Sequence, residues 1–180
     1  SGKHCSKKFK TYSFVSPSVF NQINYKANNP LRKAIKIINP LGEDQSIMRT
    51  TIIPNMLEVI SRNYNRKISE AMFYELSKVY LAEELPLKDL AYERDTLIIG
   101  IYGDVDFYDL KGIIENVMAE LNISSYRVLP SNHETFHTGR TAELLINNKR
   151  IGYLGEIHPD VLDNYDIPTR VYIAELDFEE

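Results

Sequence analysis

Ala142-Glu143-Leu144-Leu145-Ile146-Asn147-Asn148-Lys149-Arg150-Ile151-Gly152-Tyr153-Leu154-Gly155 is the stretch on which the fold turns. Two apolar-rich runs, Ala142 to Ile146 and Ile151 to Gly155, flank Asn147-Asn148-Lys149. That spacing makes a hairpin, so the two strands run antiparallel. Working outward, Thr11 to Val15, Ala34 to Ile38, Met72 to Tyr80, Thr96 to Tyr102, Tyr126 to Leu129 and Arg170 to Phe178 read as further strands. Ser18 to Ile23 suits one or two helical turns, and Pro159 to Asn164 a short helix. A longer helix is expected from Thr50-Thr51, with a threonine N-cap, Pro54 in its first turn, and Met56, Leu57, Ile60 and Tyr64 on one face. Another begins at Asp106, where Phe107, Leu110, Ile113, Ile114, Val117, Met118 and Leu121 trace an apolar stripe. Strands outnumber helices and their links are short. The class is α+β, built on a largely antiparallel sheet.

Bulk properties narrow the function. The 180 residues are 43% hydrophobic, enough for one domain with a sizeable core. Basic residues number 21 and acidic residues 25, for a net charge of −4. A domain that grips nucleic acid by itself usually carries a basic surplus, so any RNA contact here is expected to be local. The single cysteine, Cys5, excludes an intrachain disulfide and a cysteine-built zinc site and fits the cytosol. No apolar run approaches the ~18 residues that span a bilayer, so no membrane is expected as a partner. Residues 1–8 read as a cut end or tag remnant, and residues 9–180 as the domain.

Few side-chain groupings invite chemistry. Asp104, Asp106 and Asp109 lie within six residues, but Asp106 suits a helix N-cap and Asp109 its first turn, where carboxylates meet free N–H groups. His133 and His137 have zinc-ligand spacing, yet Ser131-Asn132 and Thr138-Gly139 around them read as loop and no third ligand is evident. The glycines match no phosphate loop; Gly152 and Gly155 instead mark a bulge or a close backbone approach. No catalytic, cofactor-binding or metal-binding residue is expected in this chain.

Several blocks, taken in order, resemble the C-terminal half of the bacterial phenylalanyl-tRNA synthetase beta subunit. They are Thr11-Tyr12-Ser13-Phe14-Val15-Ser16-Pro17; Asn39-Pro40-Leu41 with Met48-Arg49-Thr50 and Pro54; and Asn63-Tyr64-Asn65-Arg66. Asp106-Phe107-Tyr108-Asp109-Leu110-Lys111-Gly112, His137 with Gly139-Arg140, and Ile151-Gly152-Tyr153-Leu154-Gly155-Glu156-Ile157-His158-Pro159 complete the series. Thr138 and Thr141 depart from it, standing where the family usually has Pro and Ser.

The resemblance implies a class II aminoacyl-tRNA synthetase-like fold, an antiparallel sheet flanked by helices. It also implies a cytoplasmic phenylalanine–tRNA ligase of two alpha and two beta subunits that uses ATP and Mg²⁺. In that family the alpha subunit holds the active site and this part of beta is a degenerate copy. A working class II site holds ATP phosphates with one arginine on its second motif and another in its final strand, because guanidinium pairs hydrogen bonds on phosphate oxygens. Here the matching stretches are Met72-Phe73-Tyr74-Glu75-Leu76 and Val171-Tyr172-Ile173-Ala174-Glu175-Leu176-Asp177, without those arginines. The expectation is a non-catalytic module of the ligase, partnered with the alpha subunit and, through the holoenzyme, with tRNA(Phe). As an alternative the module binds tRNA directly, with Arg140, Lys149 and Arg150, joined by Lys111, as contact residues.

Overall fold

The hairpin that decides the class closes through Asn147 and Asn148, both in left-handed backbone at φ 51° and 62°. That conformation at both central residues gives a two-residue turn whose twist matches the strands. A computed structural model describes residues 6–85 and 91–178 of the chain. Nine strands and four α-helices follow in order: β1 (Ser6–Lys8), β2 (Phe14–Val15), α1 (Val19–Gln22), β3 (Ile47–Met48), α2 (Ile53–Asn65), β4 (Ala71–Leu81) and β5 (Tyr92–Tyr102). Then come α3 (Phe107–Glu120), β6 (Tyr126–Pro130), β7 (Phe136–Ile146), β8 (Lys149–Ile157), α4 (Pro159–Asn164) and β9 (Val171–Phe178). Seven strands form one sheet in the order β1-β4-β5-β9-β8-β7-β6, and β2 pairs with β3 apart from it. Every pair is antiparallel except β1 with β4.

Alternation along the strands divides the side chains between two cores. On one face α2 lays Met56, Leu57 and Ile60 over Phe73, Ile98, Tyr102, Val171 and Ile173. On the other, α3 lays Leu110, Ile114 and Met118 over Ile99, Ile101, Leu144, Leu154, Tyr172 and Ala174. Each such fully buried aliphatic side chain contributes about 1.5–3 kcal/mol relative to exposure, which fixes both helices on the sheet. The Asp106 carboxylate accepts from Asp109 N at 3.0 Å, and Asp109 Oδ2 accepts from Asp106 N at 2.7 Å. This reciprocal cap gives α3 its sharp start.

Three sequence expectations are corrected. Ala34 to Ile38 is not a strand; only Lys36 bridges to Ile47, since β3 is two residues long and offers no further pairing. Ser6–Lys8 form the edge strand β1. Their Ser-Lys-Lys sequence carries no apolar signal because all three are exposed. Residues 137–139, read as loop, lie inside β7, where a bulge and the positive φ of Gly139 (83°) re-aim the strand. At α2 the cap position is Ile52, without a side-chain cap; Thr51 Oγ1 accepts from Ile53 N at 3.2 Å but donates elsewhere.

Candidate functional site

Glu75 on β4 and Glu175 on β9 occupy one cross-strand row, with Ile98 of β5 between them. The segment Arg49-Thr50-Thr51-Ile52, joining β3 to α2, straps across this row and meets both carboxylates. Thr11 N and Thr11 Oγ1 donate to Glu75 at 2.9 and 2.7 Å. Arg49 Nη1 donates to Thr11 Oγ1 at 2.7 Å and to Tyr12 O at 3.3 Å. Its Nε reaches Lys78 O at 3.0 Å, and Nη2 reaches Ser77 Oγ at 2.7 Å and lies 3.8 Å from Glu75 Oε1. Arg49 is 1% exposed and Glu75 3%. Burial pulls the Arg49 guanidinium below its ordinary pKa, and the Glu75 charge pulls it back.

At the other end of the strap, Thr51 Oγ1 lies 2.9 and 2.8 Å from the Glu175 oxygens and Ile52 N donates at 2.7 Å. Desolvation, with the Asp177 charge second, pushes the Glu175 carboxyl up to about 7. Glu175 and Asp177 line a recess of about 430 Å³ that Arg94, Glu134, His133, Arg150 and Tyr153 also border. Arg94 Nη1 is paired with Asp177 Oδ2 at 3.0 Å. Arg150 Nη1 lies 3.9 Å from Glu143 Oε2, with its guanidinium 4.7 Å from the Tyr153 ring centre. His133 packs edge-on to Phe136 and Tyr153 at 5.0 and 4.6 Å, and its Nδ1 accepts from Thr135 N. Burial among these rings lowers its pKa to about 4, so it is neutral at pH 7. Among the described residues no group of three or more His, Cys, Asp or Glu side chains is arranged to hold a metal ion.

Glu175 makes stability depend on pH. Its folded pKa of about 7 lies above the ordinary carboxyl value of 4.5. Below pH 4.5 both states hold the proton; between 4.5 and 7 the unfolded chain has released it and the folded chain has not. Stability therefore falls as pH rises through that window, by up to roughly 1.4 kcal/mol per pH unit, and is flat above it. Urea melts of Glu175→Gln at pH 5 and pH 7.5 are expected to show this decline removed. An unchanged pH slope would refute the assignment.

The opposite face carries a second opening. A groove of about 540 Å³ lies between the start of α3 and strands β6, β7 and β9. Asp106, Phe107, Tyr108 and Lys111 border it on one side, and Gly139, Arg140, Arg170 and Tyr172 on the other. Glu156, 3% exposed, ties this side together: Arg140 Nη1 donates to it at 2.7 Å, Tyr172 Oη at 3.1 Å, and Arg170 Nε lies 3.6 Å away. Of the three residues expected to touch tRNA, Arg140 thus sits in this groove. Lys149 and Arg150 share a different recess with Asn147 and Phe178. Sequence reasoning missed the Arg49 strap and Arg170. A charged residue set in the apolar run Met48 to Pro54 was the available sign of a buried ion pair; Arg170 gave none.

The comparisons with known proteins agree with this architecture. The family model described as the phenylalanyl tRNA synthetase beta chain CLM domain matches residues 7–178. The phenylalanine–tRNA ligase beta subunit of Clostridium tetani is 54% identical over 171 residues, 94% of this chain and 21% of that protein. That of Clostridium acetobutylicum is 43% identical over 169 residues, 93% of this chain and 21% of the relative. The chain therefore spans about a fifth of the length of these relatives. Among solved structures, the pyrrolysyl-tRNA synthetase of Desulfitobacterium hafniense superposes with TM-score 0.75 at 12% identity, covering 94% of this chain and 60% of that one. This likeness shows the class II synthetase fold expected from the sequence. With the family model spanning nearly its whole length and close relatives agreeing, the chain belongs to the phenylalanyl-tRNA synthetase beta chain CLM-domain family.

Proposed function

We propose that this chain is a structural and interaction module of a cytoplasmic phenylalanine–tRNA ligase, supporting ATP-dependent charging of tRNA by the alpha subunit without catalysing it. One observation supports the reading: in the two stretches compared with the nucleotide-holding motifs, the carboxylates Glu75 and Glu175 are already engaged by the chain's own Thr11, Arg49, Thr51 and Ile52. The arginine nearest the first, Arg49, has its donors directed at four protein acceptors. In the neighbouring recess Glu134 and Asp177 offset Arg94 and Arg150, and Glu175 adds a further carboxyl, so there is no positive surplus to hold a triphosphate. Adenylate formation there would lack the electrostatic stabilisation its transition state needs.

A surface for the alpha subunit is available near the β2–β3 pair. Tyr12, Phe14, Ile38 and Leu41 are 78%, 46%, 87% and 99% exposed, more apolar side chain than a free surface needs. No helix among the described residues is long and apolar enough to cross a membrane. Calorimetric titration of the beta subunit with ATP and Mg²⁺ is expected to give no binding heat in the millimolar range or below. Micromolar binding abolished by Arg94→Ala would overturn the reading.

A further inference from the structure

We propose that the groove between the first turn of α3 and the β6–β7 strands seats one unpaired nucleotide of an RNA strand. This inference rests on the reading that the chain works within a tRNA ligase. Three features converge on it. First, Lys111, Arg140 and Arg170 face two carboxylates, Asp106 and Glu156, so the groove has a positive surplus on a chain of net charge −4. Second, buried Glu156 engages Arg140 through Nη1 alone and Arg170 through Nε, while the two side chains stay 47% and 71% exposed. The carboxylate fixes the guanidiniums and leaves N–H groups available to phosphate oxygens. Third, Tyr108 is 74% exposed beside Phe107, with ring centres 5.9 Å apart, an aromatic platform at the rim of an apolar floor of Val128, Leu129 and Ala142.

A basic groove beside an exposed ring is the arrangement by which proteins hold single-stranded nucleic acid. The volume of about 540 Å³ fits one base with its sugar and phosphate and is too small for a docked helix. An acidic peptide would satisfy the arginines but gives no reason for the exposed platform, so the nucleotide is favoured.

The test uses the complete ligase of both subunits and a phenylalanine tRNA transcript. The double variant Tyr108→Ala, Lys111→Ala is expected to weaken tRNA binding about 5- to 50-fold, by loss of one stacked base and one phosphate contact. The slope of log affinity against log salt should fall by about one. Tyr108→Trp with Lys111→Arg should restore affinity, which a merely structural role would not predict. A photo-crosslinking residue placed at Tyr108 should capture the tRNA. Unchanged tRNA affinity in a correctly assembled double variant overturns the proposal, as does crosslinking to the alpha subunit alone, which marks a protein interface. If the unmodified subunits neither assemble nor charge tRNA, the ligase reading itself fails, and the outcome is separate from those.

Discussion

Arg49→Ala is expected to cost about 3–5 kcal/mol of folding stability, because it leaves a buried carboxylate and several acceptors without their donor. Glu75, 3% exposed, would keep only its two bonds from Thr11, and Thr11 Oγ1 would lose the guanidinium that orients it. Lys78 O and Ser77 Oγ would lose their donors as well. Urea denaturation with an unchanged m-value measures the loss, and a value below about 1 kcal/mol would contradict the network. The pair Arg49→Met with Glu75→Gln separates the causes: removing both charges should cost much less than the two single changes summed.

Gly152→Ala should be as severe or worse, about 4 kcal/mol or more, up to failure to fold. A Cβ at this position would stand 1.9 Å from Glu175 O and 2.9 Å from Leu176 Cα, so backbone, not a flexible side chain, must move. Gly152 pairs with Leu176 on one side and Leu144 on the other, in the middle of the sheet, and the extra residue Ile151 bulges beside it. Separating β8 from β9 would break the centre of both cores. Gly112→Ala serves as the opposite case: its added methyl meets nothing within 4 Å, and inside α3 it should gain roughly 0.5–1 kcal/mol. Thermal melts of the two variants should move in opposite directions.

Legibility followed the range of the interactions. The Asn147–Asn148 turn, the α3 stripe with its Asp106–Asp109 cap, and α4 were readable because turn chemistry and periodicity act within a few residues. Residues 34–38 misled because a β-branched run predicts a strand only if a partner of matching length exists, and β3 has two residues. The stretches Met72–Leu76 and Val171–Asp177, compared with the motifs by resemblance, lie on β4 and β9, where the sheet sets Glu75 and Glu175 in one row. What tied them down was not readable: Arg49 finds Glu75 26 residues on, and Thr51 finds Glu175 124 residues on. The grouping of Arg140 with Arg170 and Lys111, and not with Lys149 and Arg150, likewise depends on the bulge in β7 and on tertiary packing.

The outer margin of β4 carries a consequence for how copies of the chain meet. Ser6–Lys8 hydrogen-bond along Met72 to Tyr74, Phe9 N continues to Tyr74 O, and Arg49 closes the far end through Tyr80 N and Lys78 O. The eleven-residue strand β4 is thereby covered at its two ends by two separate segments, each carrying cationic side chains. Among the described residues, the sheet's margins are the three-residue β1 and β6, a five-residue strand ending in Pro130. Filament-like growth by strand addition, the usual hazard of a wide open sheet, is blunted at both margins, and Arg49 guards one of them.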